Sequence, residues 1–214
     1  MRSYDDPCGV ARALDAVGER WCLLVVRDLL LGPKRFTDLA AGLPGMSQNV
    51  LVQRLRDLEG RGLVHRRVLG PPSGARVYEL TGAGYELEDV LVALARWGSR
   101  APLVPRAALT ADALALALST TFDVAAAGDL RATVALHLGA DRLVAEVAGG
   151  RFRISRRETS DPDAVLTVDA GTLQGIVFGG AELPAAAVRG DRRLAERFVR
   201  LFPRPRPRAV SAGG

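Results

Sequence analysis

Apolar residues recur with two different spacings along the chain, one in each half. Up to about residue 100 they recur mostly every three or four residues, which is the spacing of an amphipathic helix. From roughly residue 130 to residue 168 they alternate with polar residues, as in strands that have one buried face. The change predicts a largely helical domain followed by a domain built on a sheet, and therefore an α+β fold class.

The first half is predicted to contain five helices, with a β-hairpin before the last of them. Glycine and proline follow predicted helix ends, for example at Gly18 and at Gly32-Pro33, where they stop a helix. Ser47 precedes the fourth helix and can cap it with its hydroxyl. The predicted helices cover residues 7–17, 19–31, 35–41, 48–59 and 84–99, and the hairpin strands cover residues 63–69 and 75–80.

The third and fourth predicted helices are joined by a short turn and followed by the hairpin, which is the order of a winged helix-turn-helix. Leu51, Leu55 and Leu58 share one face of the fourth helix and are expected to pack against the domain. The other positions can then reach base edges in the major groove, where Gln and Asn pair with adenine and Arg pairs with guanine. We therefore predict double-stranded DNA as the partner. The candidate contacts on the helix are Ser47, Gln48, Asn49, Gln53, Arg54 and Arg56, and those placed to meet phosphate are Lys34, Arg35 and Arg76.

Charge supports this prediction only locally. The chain carries 29 basic and 24 acidic residues, a net charge of +5, which suggests an acidic partner without identifying one. Between residues 46 and 67 the surplus is concentrated, at +3. It arises from Arg54, Arg56, Arg61, Arg66 and Arg67 against Asp57 and Glu59.

The second half is predicted to form an antiparallel sheet that has one face exposed to solvent and helices on the other. A helix at residues 110–120 comes first. One apolar set, Ala132, Val134, Leu136 and Leu138, is predicted to share a sheet face, and a second set after the turn, Leu143, Ala145 and Val147, to share another. Asp169 and Asp191 are placed to cap two later helices.

The predicted boundaries follow these patterns. Residues 1–100 form a DNA-binding and dimerisation domain, and residues 101–109 are a linker, because two prolines interrupt the pattern there. Residues 110–203 form the second domain, and residues 204–214 are a basic tail in which arginine and proline alternate up to Arg208.

Several separated motifs of residues 8–100 resemble an HxlR-type transcriptional regulator, a branch of the MarR-like winged-helix proteins. They are Gly18-Glu19-Arg20-Trp21, Leu31-Gly32-Pro33-Lys34-Arg35-Phe36, Leu51-Val52-Gln53-Arg54-Leu55-Arg56-Asp57-Leu58 and Gly62-Leu63-Val64. The family usually has Gly-Lys-Trp where this chain has Glu19-Arg20-Trp21, and Arg20 keeps the charge. The resemblance implies a dimeric regulator that binds DNA.

Dimerisation also has a physical reason, since one helix reads only a few base pairs and two are normally set one DNA turn, about 34 Å, apart. The apolar stripe of the last predicted helix in this half is the expected homodimer seam, although it can equally pack within its own subunit. The stripe consists of Leu87, Val90, Leu91, Leu94 and Trp97.

Residues 110–203 are similar to sterol carrier protein type two domains, on the segments Ala164 to Leu173, Phe178-Gly179-Gly180 and Val188-Arg189-Gly190-Asp191. The resemblance implies an apolar cavity for a lipid-like small molecule, between the sheet and the helices. The predicted lining is Leu136, Leu138, Phe152, Ile154, Leu173, Ile176, Val177 and Phe198, and all of these can instead be plain core.

The sequence carries none of the usual catalytic motifs, so we expect neither an enzyme nor a cofactor. Two cysteines and two histidines make a metal cluster improbable. The apolar run that begins at Trp21 ends at Arg27, too short to span a membrane, and no signal peptide is evident. We therefore expect a cytoplasmic protein with no membrane partner.

Three functions remain open at this stage. The first is a regulator modulated by an apolar small molecule, and the second is a redox-sensing regulator that acts through Cys8. In the second case the resemblance supplies the position of the thiol, while the nearest charged residues in sequence, Asp5 and Asp6, disfavour a thiolate. Cys22 is expected to be a small core residue. The third function, a lipid carrier, would leave the arginines of the predicted recognition helix without a role.

Overall fold

The computed structural model describes residues 3–71, 73–101 and 108–205. The chain forms two compact units that divide inside one helix, between Leu91 and Val92. The predicted linker at residues 101–109 and the tail at residues 204–214 lie mostly outside the described residues. Within the described ranges, no helix combines the length and the apolar character that crossing a membrane requires.

The first unit has the predicted order of helices and hairpin, and most element ends agree with the prediction to within three residues. Its helices are α1 (Gly9–Val17), α2 (Cys22–Leu29), α3 (Phe36–Gly42), α4 (Gln48–Gly60) and α5 (Gly82–Tyr85), and its strands are β1 (Val64–Val68) and β2 (Arg76–Leu80). Helix α6 (Leu87–Gly98) begins in this unit and continues past the division at Leu91. Helix α2 begins late because Trp21 has a positive φ of 83°. The last predicted helix is divided into α5 and α6. Thr81 caps α5, since its Oγ1 accepts a hydrogen bond from the Gly84 N–H at 3.1 Å.

The apolar face of α4 anchors this helix to the first unit. Leu51, Leu55 and Leu58 are fully buried, as predicted, and α4 packs against α2 and β1. Burying a leucine side chain contributes roughly 1.5–3 kcal/mol, so three of them hold the helix firmly. The hairpin pairs antiparallel from Val64 opposite Leu80 to Val68 opposite Arg76. The packing of its three leucines leaves the other side of α4 exposed.

The second unit contains the predicted sheet and helices together with three short elements that were not predicted, one of them a 3-10 helix at Ala185–Ala187. Its helices are α7 (Ala111–Thr121), α8 (Val124–Ala127), α9 (Ala170–Gly179) and α10 (Arg192–Val199), and its strands are β3 (Ala132–Leu138), β4 (Asp141–Ala148), β5 (Arg151–Ser155), β6 (Ala164–Val168) and β7 (Val188–Gly190). The prediction missed α8 and β7 because four and three residues are too few to show a period. The α+β class is confirmed.

The five strands follow the order β5-β4-β3-β6-β7. The pair β3–β6 is parallel, whereas the other neighbouring strands are antiparallel. The sheet is therefore mixed rather than fully antiparallel as predicted. The difference arises because the chain leaves the edge strand β5 and crosses two strands before it pairs again.

The two apolar sets that were predicted on different faces lie on the same face. Leu136 is opposite Leu143 in the antiparallel register, and opposed residues of neighbouring strands point to the same side. The prediction was wrong because a tight turn reverses the chain direction but keeps both apolar sets on one side of the sheet.

The opposite face of the sheet is only partly exposed. Ala135 and Val144 on this face are buried. The connection from β5 to β6 crosses the face, where the Arg157 guanidinium lies 2.9 Å from Glu146 Oε1. His137 is half-buried on the same face, and desolvation lowers its pKa, with a further contribution from neighbouring arginines.

Candidate nucleic-acid interface

The outward side of α4 carries three polar side chains at helical spacing. Asn49, Gln53 and Arg56 follow each other at i, i+4 and i+7, opposite the buried leucines, and all three are exposed. We call this set the outward face of α4. It brings together three of the candidate DNA contacts on a helix that is fixed from behind.

The start of α4 is fixed by Ser47, whose Oγ accepts a hydrogen bond from the Val50 N–H at 3.4 Å. The predicted cap is thereby confirmed. Gln48 is exposed in the first turn. Because the N-terminus of a helix carries a partial positive charge, this end of α4 suits a phosphate group.

The three side chains of the outward face differ in how far they are engaged within the protein. Gln53 Nε2 donates a hydrogen bond to Asp57 Oδ1 at 2.8 Å, which leaves its carbonyl oxygen available. Among the residues that the structure describes, Asn49 and Arg56 make no side-chain hydrogen bond or ion pair. Both can therefore donate to a ligand without first breaking a contact.

Arg54 does not belong to the outward face, although the sequence analysis grouped it there. Its side chain is only 15% exposed, and it lies 3.0 Å from Glu19 Oε2 and 3.2 Å from Asp57 Oδ2. The reason is angular: at about 100° per residue, position 54 lies about 60° from Leu51 and hence at the edge of the buried face. Arg54 and Asp57 have the i, i+3 spacing that is typical of paired side chains on a helix. The contact with Glu19 could not be predicted from a local pattern, because Glu19 is 35 residues away.

The residues before α3 differ from the prediction in their exposure. Lys34 is only 9% exposed, and its backbone extends the hairpin: its N–H donates to the Tyr78 carbonyl at 3.0 Å. Arg35 is exposed, and its guanidinium donates to Ser73 Oγ at 3.4 Å. The exposed Arg35 is the better placed of the two cations for a phosphate contact.

The hairpin carries three exposed arginines, two of which are paired. Arg66 lies 2.8 Å from Glu59 Oε1, and this hydrogen bond raises its pKa, while Arg67 lies 2.8 Å from a carboxylate oxygen of Glu79. Arg76 is exposed and, within the described part of the chain, has no ionic partner. Arg76 thus joins Arg56 as a cation that can meet a phosphate directly.

The apolar stripe of α6 is mostly exposed. Val90, Leu94 and Trp97 recur at i, i+4 and i+7 and are 51%, 46% and 62% exposed. Leu91 is buried and Leu87 is half-buried, so these two pack within the subunit.

The two cysteines have different surroundings. Cys8 is exposed at the N-cap of α1, and its backbone N–H donates to Asp6 Oδ1 at 2.8 Å. Cys22 is buried at the start of α2, as predicted, and burial raises the pKa of its thiol while the neighbouring Arg54 opposes the shift.

The residues predicted to line a ligand cavity are mostly buried. Leu136, Leu138, Leu173, Ile176 and Phe198 are buried. Three further members, Phe152, Ile154 and Val177, are half-buried. The Phe152 ring stacks on the Phe122 ring with the centroids 5.4 Å apart. Most of the predicted lining residues are therefore enclosed within the second unit.

A groove of about 670 Å³ is lined by residues of α9 and α10 and of the segments that follow them. Two of the predicted lining residues, Ile176 and Val177, belong to its wall. Its other apolar residues are Gly180, Ala181, Leu183, Val199, Phe202 and Pro203, and its charged residues are Glu182, Arg192, Glu196 and Arg200. Arg192 and Glu196 are paired at 2.8 Å, so charged as well as apolar side chains line the groove.

Comparison with known proteins relates the first unit to one family. The sequence pattern of the HxlR-like helix-turn-helix family matches residues 16–103. The chain is 38% identical over 89 residues to the uncharacterized HTH-type transcriptional regulator YvaP of Bacillus subtilis, which covers 41% of this chain and 82% of YvaP. The second unit lies almost entirely outside the family match.

A second similarity is to the HTH-type transcriptional regulator YodB of Bacillus subtilis, at 34% identity over 88 residues, or 41% of this chain and 79% of YodB. Crystal structures describe YodB in a reduced form and in a quinone-bound form. The reduced form aligns with a TM-score of 0.40 over 44% of this chain and 92% of that one, at 33% identity. The oxidized redox regulator HypR aligns with a TM-score of 0.42 over 45% of this chain and 100% of that one, at 32% identity.

Proposed function

Because the chain belongs to the HxlR-like helix-turn-helix family, in which YvaP and YodB are HTH-type transcriptional regulators, we propose that it is a dimeric, sequence-specific DNA-binding regulator. The observation that carries the proposal is the outward face of α4. Asn49, Gln53 and Arg56 stand exposed on a helix whose opposite side is fully buried. A helix of this kind enters the major groove and offers amide and guanidinium groups to the base edges.

The proposed contacts divide into two kinds. The bases are read by Asn49, Gln53 and Arg56, together with Gln48 at the start of the helix. The end of α4 that begins at Ser47 faces a phosphate. Arg35 and Arg76 contact phosphate beside the helix, since both are exposed. Phosphate contacts supply affinity, and base contacts supply sequence preference.

The direct test is selection of duplexes from a random pool by the purified protein, followed by titration of the selected duplex at several salt concentrations. A single recurrent site is expected. Arg56→Ala should weaken binding. The salt slope is the slope of the logarithm of the binding constant against the logarithm of the salt concentration, and the variant should lower it by about one for each phosphate contact that Arg56 makes. Arg193→Ala, an exposed arginine of α10, is the matched control and should leave binding unchanged. Absence of any recurrent site would rule the proposal out.

The homodimer is proposed to form through the exposed stripe of α6. Val90, Leu94 and Trp97 offer an apolar strip that a second copy can cover symmetrically. Leu94→Glu is expected to give monomers in sedimentation velocity and to weaken binding to the selected duplex. Arg96→Glu changes a charge on the other side of the same helix and should remain dimeric. A dimeric Leu94→Glu variant would place the seam elsewhere.

The small-molecule effector is proposed to occupy the groove of α9 and α10. Its volume suits a small ligand, and its mixture of apolar and charged side chains suits an amphiphile. The dye anilinonaphthalene sulfonate is a suitable probe, and it should bind at one site per chain. Val177→Trp fills the groove and should abolish the fluorescence, whereas Val124→Trp, exposed outside the groove, should not. Equal dye binding by both variants would exclude the groove.

A second candidate function is redox sensing through Cys8. Two observations favour it: the thiol is exposed at the N-cap of a helix, and the related YodB is described in a reduced and a quinone-bound form. Under this function diamide weakens binding of the selected duplex, and Cys8→Ser abolishes the response. Cys22→Ser is the control, because a buried thiol should not contribute. A response that persists in Cys8→Ser would exclude this function.

A further inference from the structure

We propose that Arg54 is a positioning residue that sets the sequence preference of α4 through Asp57 and Gln53, without itself contacting DNA. The inference rests on the proposed function, because it concerns how the DNA-reading face is held. Its basis is a continuous chain of polar contacts that runs from the turn between α1 and α2 to the outward face of α4.

The first link fixes Arg54 to the turn. One guanidinium nitrogen donates to Glu19 Oε2 at 3.0 Å, and the side chain is only 15% exposed. Glu19 lies just before Trp21, whose positive φ of 83° gives this turn a defined shape. Arg54 therefore joins α4 to a segment that is distant in sequence, and it does so from beside the buried face of the helix.

The second link runs from Arg54 to the outward face. The other terminal nitrogen of Arg54 lies 3.2 Å from Asp57 Oδ2, and Asp57 Oδ1 accepts a hydrogen bond from Gln53 Nε2 at 2.8 Å. The two oxygens of one carboxylate thus hold the guanidinium on one side and the Gln53 amide on the other. A forked guanidinium can satisfy both carboxylates at once, which the single ammonium of lysine cannot do in the same geometry.

The consequence concerns what Gln53 presents to a base. With one N–H committed to Asp57, the amide group is held with its carbonyl oxygen free as an acceptor. An acceptor at this position favours a base that offers a donor in the major groove, namely the amino group of adenine or cytosine. Without Arg54, the Asp57 carboxylate loses its cationic partner and is held less firmly, so the Gln53 amide bonded to it is less fixed and the preference at this base pair is expected to relax.

The test compares wild type, Arg54→Ala, Arg54→Lys, Arg56→Ala and Gln53→Ala on the selected duplex and on duplexes with one base pair changed. Arg54→Ala should reduce discrimination at one base pair by about 10-fold, at the same pair as Gln53→Ala. Its salt slope should equal that of wild type. Arg54→Lys should fail to restore the discrimination.

Because Arg54→Ala removes partly buried contacts, Glu19→Gln serves as a milder variant. Glu19 is 66% exposed, so its neutral isostere should fold, and a smaller loss of discrimination at the same base pair is expected. Thermal melting of each variant without DNA checks that the first unit is intact.

Two results would overturn the inference while leaving the proposed function standing: a lower salt slope for Arg54→Ala, which would indicate a phosphate contact, or unchanged discrimination at the base pair that Gln53 reads. If wild type itself selects no recurrent duplex, the proposed function fails and the inference fails with it.

Discussion

The first unit exposes most of its candidate functional residues, whereas the second unit buries most of those predicted for it. On α4 the leucines lie inside and Asn49, Gln53 and Arg56 lie outside, so the packed side and the proposed DNA-reading side are opposite sides of one helix. In the second unit, residues predicted to line a cavity, such as Leu136, are fully buried core. Polar patterning therefore locates an exposed face directly, but apolar patterning locates a core without showing whether space remains in it.

The largest expected effect tests whether the sheet face that carries Leu136 and Leu143 is packed core. Leu136→Ala should lower the free energy of unfolding of the second unit by about 2–5 kcal/mol, because the cavity it leaves collapses only partly. The measurement is amide hydrogen exchange in the peptides that cover β3 and β4. Thr167→Ala, exposed on the neighbouring strand β6, should change the same quantity by about 0.5 kcal/mol or less.

A loss below about 1 kcal/mol for Leu136→Ala would instead indicate an existing space beside this side chain, since truncating the wall of a cavity removes fewer contacts than truncating close-packed core. The contrast between the two units would then weaken, and the originally predicted cavity would regain support.

The sequence was sufficient for the fold of the first unit and for the side of α4 that faces outward. Leucine spacing alone identified the buried face, and Ser47 marked the helix start. It was insufficient for Arg54, because its partner Glu19 is 35 residues away and only the tertiary fold brings the two together. Similarly, the groove of α9 and α10 depends on how two helices pack, which no local pattern encodes.

The next effect tests the outward face of α4. Asn49→Ala should weaken binding to the selected duplex by about 1–3 kcal/mol, because one amide pairs with one base through two hydrogen bonds. Alanine has the higher helix propensity, so the first unit should remain folded. Fluorescence anisotropy titration gives the loss, and Thr167→Ala in the second unit is the control. Equal loss on duplexes of unrelated sequence would show that Asn49 supplies affinity rather than sequence preference.

A smaller effect sharpens the comparison within the second unit. Val177 lines the groove and is half-buried, in contrast to the fully buried Leu136. Val177→Ala should therefore lower the free energy of unfolding by about 1 kcal/mol or less, because two partly exposed methyl groups are removed. Amide hydrogen exchange in the peptide that covers α9 measures it. A loss as large as that of Leu136→Ala would mean that the groove wall is structural core.

The smallest expected effect is a pH dependence that separates the two units. Desolvation lowers the pKa of His137 in the folded second unit, so folding favours the neutral imidazole. The stabilisation is complete above the unfolded pKa of about 6.5 and is lost as the pH falls through the lower folded value. Amide exchange of the β3 peptide should therefore speed up between pH 7 and pH 5, after correction for intrinsic exchange, and His137→Gln should remove this change. The chain's other histidine, His65, lies in the first unit. A pH response of the β3 peptide that survives in His137→Gln would therefore have to come from carboxylates. Burial of His137 would then play no part in the stability of the sheet.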